Sequence, residues 1–180
     1  MPKTITMTLS QNSIQNAIKE LRKYQNDLNR KCEEFCLRLA ELGIQTAKEN
    51  TGNFGKYISF TYEVKDRTKG CKAVMVATNT GIIHSEWMTK DGVKSADVSP
   101  ILMCEFGSGL KAENPKGIPG VGTGTFPGQT HAEDPNGWYW MDLDGEWHHS
   151  YGVTPKMPMY HASIEMILNI RKIAREVFRS

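Results

Sequence analysis

The sequence predicts an α+β fold: a long N-terminal helix and a C-terminal helix packed on an antiparallel β-sheet. Three observations lead there. Apolar residues recur at helical steps from Ile14 to Leu42 and again from Tyr160 to Val177. Between them lie segments of strand-like alternation, Tyr57 to Val64 and Cys71 to Thr78. An aromatic stretch, Trp138 to Tyr151, is broken by Asp144-Gly145, a favoured hairpin turn.

The first helix follows from Ile14, Ile18, Leu21, Leu28, Cys32, Phe35, Leu39 and Leu42, one stripe interrupted only by a polar gap at Tyr24 and Gln25. Residues 1–9 precede it as an arm or edge strand, and Ser10 or Ser13 can cap it. Asn50-Thr51-Gly52 is its expected end. From Ser13 to Asn50 it would run roughly 55 Å at 1.5 Å per residue. That exceeds the diameter of a small domain, so either it breaks near Gly43 or its first half projects and packs on another subunit.

Ile58, Phe60, Tyr62 and Val64 alternate with Ser59, Thr61 and Glu63, giving a half-buried strand with Ile58 and Phe60 inward. Lys65 to Gly70 forms a charged turn into the second strand, where Ala73, Met75 and Ala77 oppose Val74 and Val76. Ile82 to Trp87 is a shorter third strand, and Lys90 to Ser99 is polar enough to be loop. Val98 to Phe106 fits helix or strand, and Pro100 suits a first helical turn. Gly107 to Asn136 holds seven of the 16 glycines and four of the eight prolines. It is expected to be a flexible loop that orders on assembly. A two-residue turn at Asp144-Gly145 would pair Asp142 with Trp147, Trp140 with His149 and Trp138 with Tyr151, all on one face. In the last helix Tyr160, Ile164, Ile167, Ile170, Ala174 and Val177 form the expected buried stripe. Two helices, near 11–50 and 159–178, should thus cover one sheet containing 57–64, 71–78 and 138–151.

The 180 residues are expected to form a single domain, with residues 1–10 as an arm and 107–136 as the flexible loop. A net charge of +2 creates no strong field for nucleic acid or membrane. No apolar run nears the roughly 20 residues that cross a bilayer. The start, MPKTITMTLSQNS, lacks an apolar signal core, so synthesis in the cytosol is expected. Cys32, Cys36, Cys71 and Cys104 form no CxxC pair, and disulfides are not expected in that compartment.

Candidate chemistry is sparse. Asp142, Asp144, Glu146, His148 and His149 crowd one hairpin, as a metal or acid/base site requires, yet match no ligand spacing. On that hairpin Asp142 and His149 should point one way and His148 the other. His131 with Glu133 and Asp134 is explained by a polar loop. Cys32 and Cys36 fit as small buried hydrophobes. Gly120 to Gly124 shares only glycine content with phosphate-cradling loops. There is no GxSxG elbow. His84 stands alone. Lys172, Arg175 and Arg179 suit the negative end of a helix, and could also meet DNA phosphates.

The order of elements resembles the gene-product-ten-like neck or tail-completion proteins of long-tailed double-stranded-DNA phages. Thr51-Gly52 followed by Tyr57-Ile58-Ser59 is similar to the family's "TG…SI". Glu105-Phe106-Gly107-Ser108-Gly109 is similar to its "EFGTG". Phe126-Pro127-Gly128-Gln129 falls in its glycine-rich loop. Gly152, Pro155, Pro158-Met159 and Ala162 resemble its entry to the closing helix. The match spans most of residues 11–178. It departs at the proline usual before TG, where Asn50 stands nearby, and in a longer 138–151 hairpin. The resemblance implies a non-enzymatic virion morphogenesis protein with no catalytic residue, cofactor or metal. It would be a structural subunit of the head–tail connector, neck or tail-completion complex. It would form a homo-oligomeric ring, meet other connector or tail-tube and terminator proteins, and allow DNA to pass. Its place would be the virion, after assembly in host cytoplasm, with no membrane. Interface candidates are Glu105, Phe106, Phe126, Trp138, Trp140 and Trp147. Two other readings stand beside it: a metal-dependent hydrolase using Asp142, His148, His149 and His131, and a small DNA-binding accessory protein using the basic last helix.

Overall fold

A computed structural model describes residues 4–67, 70–113 and 134–179. Helix α1 runs unbroken from Gln11 to Glu49, 39 residues and about 58 Å at 1.5 Å per residue. Ser10 caps it, its side chain accepting from the Ser13 amide. Asn50 closes it, and Gly52 follows with φ +54. Gly43 does not break the helix. It is buried, and a Cβ there would sit 2.8 Å from the Met166 sulfur and 3.1 Å from that of Met75. The glycine lets two neighbouring elements approach α1, which offsets its helix penalty of about 1 kcal/mol.

Strands β1 (Ile58–Arg67) and β2 (Gly70–Asn79) form an antiparallel pair, with Phe60 opposite Ala77. Ile58 and Phe60 are each 7 % exposed and point into the core, as alternation requires. They meet Ala47, Cys104 and Ala162, with Ile44, Phe54, Met75 and Met159 around them. Helix α2 (Pro100–Phe106) settles the choice between helix and strand in that segment: Ser99 accepts from the Leu102 amide and Pro100 opens the helix. Helix α3 (Pro158–Arg179) lies antiparallel on α1. The Phe35 and Phe178 rings are 6.0 Å apart and Arg38 pairs with Glu176 at 3.4 Å.

The sheet differs from expectation in three ways. Among the described residues it is two sheets: β1–β2, and a four-stranded sheet in the order β4-β3-β5-β6. The helices cover the first, while the 138–151 hairpin belongs to the second. Residues 92–98 form a strand rather than loop. β3 (Ile83–Thr89) pairs with β4 (Gly92–Val98) across a two-residue turn at Lys90-Asp91. Apart from Val98, β4 is exposed on both faces, so hydrophobic alternation could not reveal it. Third, the aromatic hairpin of β5 (Trp138–Met141) and β6 (Trp147–Ser150) closes with a five-residue loop, pairing Trp140 with His148 and Tyr139 with His149. Asp142 organises that loop, accepting the Asp144 and Glu146 amides on Oδ1. The one-residue slip moves each β6 side chain to the opposite face. Trp138, Trp140 and Trp147 therefore do not share a face.

The stripe on α3 is also displaced. Ala162, Ile173 and Val177 are buried, whereas Ile164, Ile167 and Ile170 are 40, 62 and 41 % exposed. The helix carries two apolar faces, and periodicity alone does not choose between them. In α1 the first half projects: Ile14, Ile18, Leu21 and Leu28 remain 37–55 % exposed. No helix among the described residues is long and apolar enough to cross a membrane.

Candidate functional site

The site forms where two distant segments lock together, residues 104–109 and 151–158. All six residues from Cys104 to Gly109 are buried. Ser108 and Val153 exchange backbone hydrogen bonds at 2.9 and 3.2 Å. The Ser108 hydroxyl also accepts the Val153 amide at 3.1 Å. The Cys104 carbonyl accepts the amides of Lys156 and Met157 at 2.7 and 3.1 Å. Met157 sits just before α3 with φ +51, unusual for a residue with a side chain. A methionine cannot cap a helix. Glu105 does so instead, its two oxygens accepting the Met159 and Tyr160 amides at 2.8 and 2.9 Å. A carboxylate is favoured at that positive helix end.

Glycine is demanded where the segments touch. Gly107 has φ +69 and Gly152 φ +100. A Cβ on the first would strike the Val153 carbonyl, and on the second the Ser108 carbonyl. Gly109 leaves room for the Trp138 ring. The two motifs read separately in the sequence are thus one buried unit. This also corrects the loop boundary: residues 107–113 belong to the packed fold, with a 3-10 turn at Gly109–Lys111 and the Glu113 amide donating to the Phe106 carbonyl. Residues 114–133, including Phe126, His131 and the Gly120–Gly124 run, lie outside the described residues.

Glu105 and Phe106, each 9 % exposed, serve the chain's own packing rather than an outer surface. Trp138 and Trp140 are half-buried, and Trp147 is 67 % exposed. On one face of the hairpin Tyr139 stacks on His149 at 4.2 Å and His149 meets Tyr151 at 4.5 Å. On the other face Trp140 stacks on His148 at 4.4 Å.

The side chains suspected of chemistry are separated by that register. Asp142 and His148 share a side and bond at 2.7 Å, while the His149 ring contacts the Asn136 carbonyl oxygen at 2.6 Å. This reverses the expected grouping. The His148 contact, with the Glu146 and Asp144 amides, holds the Asp142 carboxyl below its ordinary range. Asp134 is spent on a turn, accepting the Asn136 amide. Among the described residues no group of three or more His, Cys, Asp or Glu side chains is arranged to hold a metal ion.

Three contacts had no sequence signal beyond residue type. His84 lies 2.7 Å from Asp97 and 3.4 Å from Glu86, and Asp97 first, then Glu86, raises its pKa above the ordinary 6.5. All four cysteines are free thiols. Burial pushes the Cys71 thiol up, aided by its hydrogen bond with Cys36. Burial, then the Glu105 charge, pushes Cys104 up to about 11. Cys104 therefore stays a protonated packing group. In comparisons with known proteins, no family model, no curated protein and no solved structure matches this chain.

Proposed function

We propose that this chain is a structural subunit of the head–tail connector, neck or tail-completion complex of a long-tailed phage. It acts by protein–protein assembly, as a homo-oligomeric ring that meets connector or tail-tube proteins and allows DNA through. The observation that supports this reading is the interlock of Glu105–Gly109 with Gly152–Met159. The residues that carry the resemblance are the ones whose size and backbone conformation the packing demands. The projecting half of α1 and the exposed Trp147 offer surface for neighbours, and aromatic residues anchor interfaces.

Immunolabelling of particles from the phage encoding this chain tests the reading. Label at the head–tail junction is expected. Label on the capsid shell alone, or particles that carry none, would overturn it.

A further inference from the structure

Helix α1 is divided by charge. Its first part, residues 11–31, carries Lys19, Arg22, Lys23, Arg30 and Lys31 against Glu20 and Asp27. Its second part carries Glu33, Glu34, Glu41 and Glu49 against Arg38 and Lys48. The apolar stripe is divided too. Cys32, Phe35, Leu39 and Leu42 are half-buried, with Phe35 against Phe178 of α3. The same three- and four-residue steps continue upstream through Ile14, Ile18, Leu21 and Leu28, where the side chains stand exposed. A seam that is covered at one end and bare at the other calls for a second element with matching charge.

The acidic part of α1 holds such a surface. A groove of about 410 Å³ lies between it and β1, lined by Glu41, Ile44, Gln45, Lys48, Glu49 and Tyr62. Its rim has two carboxylates and one ammonium, and Tyr62 is 37 % exposed. We propose that the projecting first part of α1 docks into this groove on a second copy of the chain. Ile18 and Leu21 would cover Ile44 and Tyr62, while the basic flank faces Glu41 and Glu49. The contact is taken as head to tail: each copy offers one arm and one groove, so copies add in series, and a ring results where the rotation between neighbours closes. The exposed Ile164, Ile167 and Leu168 of α3 are the competing surface. Arg171 and Lys172 flank them against the single Glu165, so a basic arm is less favoured there than beside Glu41 and Glu49.

This inference rests on the ring reading for its setting alone, because its test reads assembly state and not attachment to a phage. Light scattering on the purified chain, up to about 100 μM, should show an oligomer larger than a dimer that weakens as salt rises. Ile18→Gln with Leu21→Gln removes the arm's apolar surface but keeps good helix formers. Glu41→Lys with Glu49→Lys inverts the groove. All four positions are exposed or nearly so, and unchanged thermal melting of each double variant checks folding. Each variant alone should be monomeric. Mixed, they retain one intact arm and one intact groove, and should form a 1:1 dimer of about twice 20.3 kDa and nothing larger. Native protein that stays monomeric, or that stops at a dimer, overturns the head-to-tail proposal. So does a groove variant that assembles like the native chain, which would point to α3 or to arm-to-arm pairing, or a mixture that remains monomeric, which would show that arm and groove do not meet. If the mixture dimerises but labelling misses the junction, the connector reading fails and this contact stands.

Discussion

The Glu105 carboxylate accepts the backbone amide of Tyr160 at 2.9 Å, across 55 residues of sequence. Its other oxygen takes the Met159 amide at 2.8 Å. One buried side chain on α2 thus replaces the local cap that Met157 cannot supply. Glu105→Ala would leave two helix-end amides without their acceptor and should cost about 2–3 kcal/mol. Glu105→Gln keeps one acceptor and should lose about half as much. Urea denaturation measures both. A loss for Glu105→Ala within the scatter of surface substitutions would remove the capping role.

Gly152 and Gly145 both have positive φ, 100° and 88°, but differ in surroundings. Nothing lies within 4 Å of a Cβ at Gly145, whereas Gly152 faces the Ser108 carbonyl. Gly145→Ala should cost about 1–2 kcal/mol from backbone conformation alone. Gly152→Ala must also separate Ser108 from Val153, and should cost at least about 3 kcal/mol. Amide exchange at Val153 should accelerate in the second variant only. Equal effects at both positions would show that the close approach is unimportant.

Phe60 is 7 % exposed and Tyr62, on the same face two residues on, is 37 % exposed. Phe60→Ala should cost about 3–5 kcal/mol. Tyr62→Ala should cost clearly less, because its ring borders the open groove beside Ile44. Similar melting losses for the two would contradict the core's position at the start of β1.

His84 is held between Asp97 and Glu86, and its folded pKa lies above 6.5. A raised folded pKa means that the protonated ring stabilises the hairpin. That contribution is fully present below about pH 6.5 and is lost as pH rises through the folded value. The His84 ring signals should titrate above pH 6.5 by nuclear magnetic resonance, and Asp97→Asn should bring the midpoint down. Asp142 has the opposite sign: its depressed carboxyl contributes above its ordinary pKa of 3.8, and the contribution fades as pH falls through the folded value. An unmoved His84 midpoint in Asp97→Asn would show that the contact does not persist in solution.

The sequence by itself determined what depends on neighbours a few residues away. The ranges of α1 and α3 and the inward turn of Ile58 and Phe60 follow from helical or strand period, whereas the choice of Ser10 over Ser13 as the cap and of helix over strand after Pro100 came from the structure. Only the tertiary structure decided the rest. β4 is exposed on both faces apart from Val98, so its pairing with β3 leaves no clear hydrophobic period to read. The β5–β6 register turned on loop size: Asp142 gathers a five-residue loop where Asp144-Gly145 suggested a two-residue turn, and one residue of slip exchanges the faces. Two apolar faces on α3 left its buried side to be set by where α1 lies. The interlock at Glu105 and Gly152 was visible as two motifs, but not as a contact. It joins segments about 50 residues apart through a carboxylate, a serine and two glycines, whose partners no local pattern names.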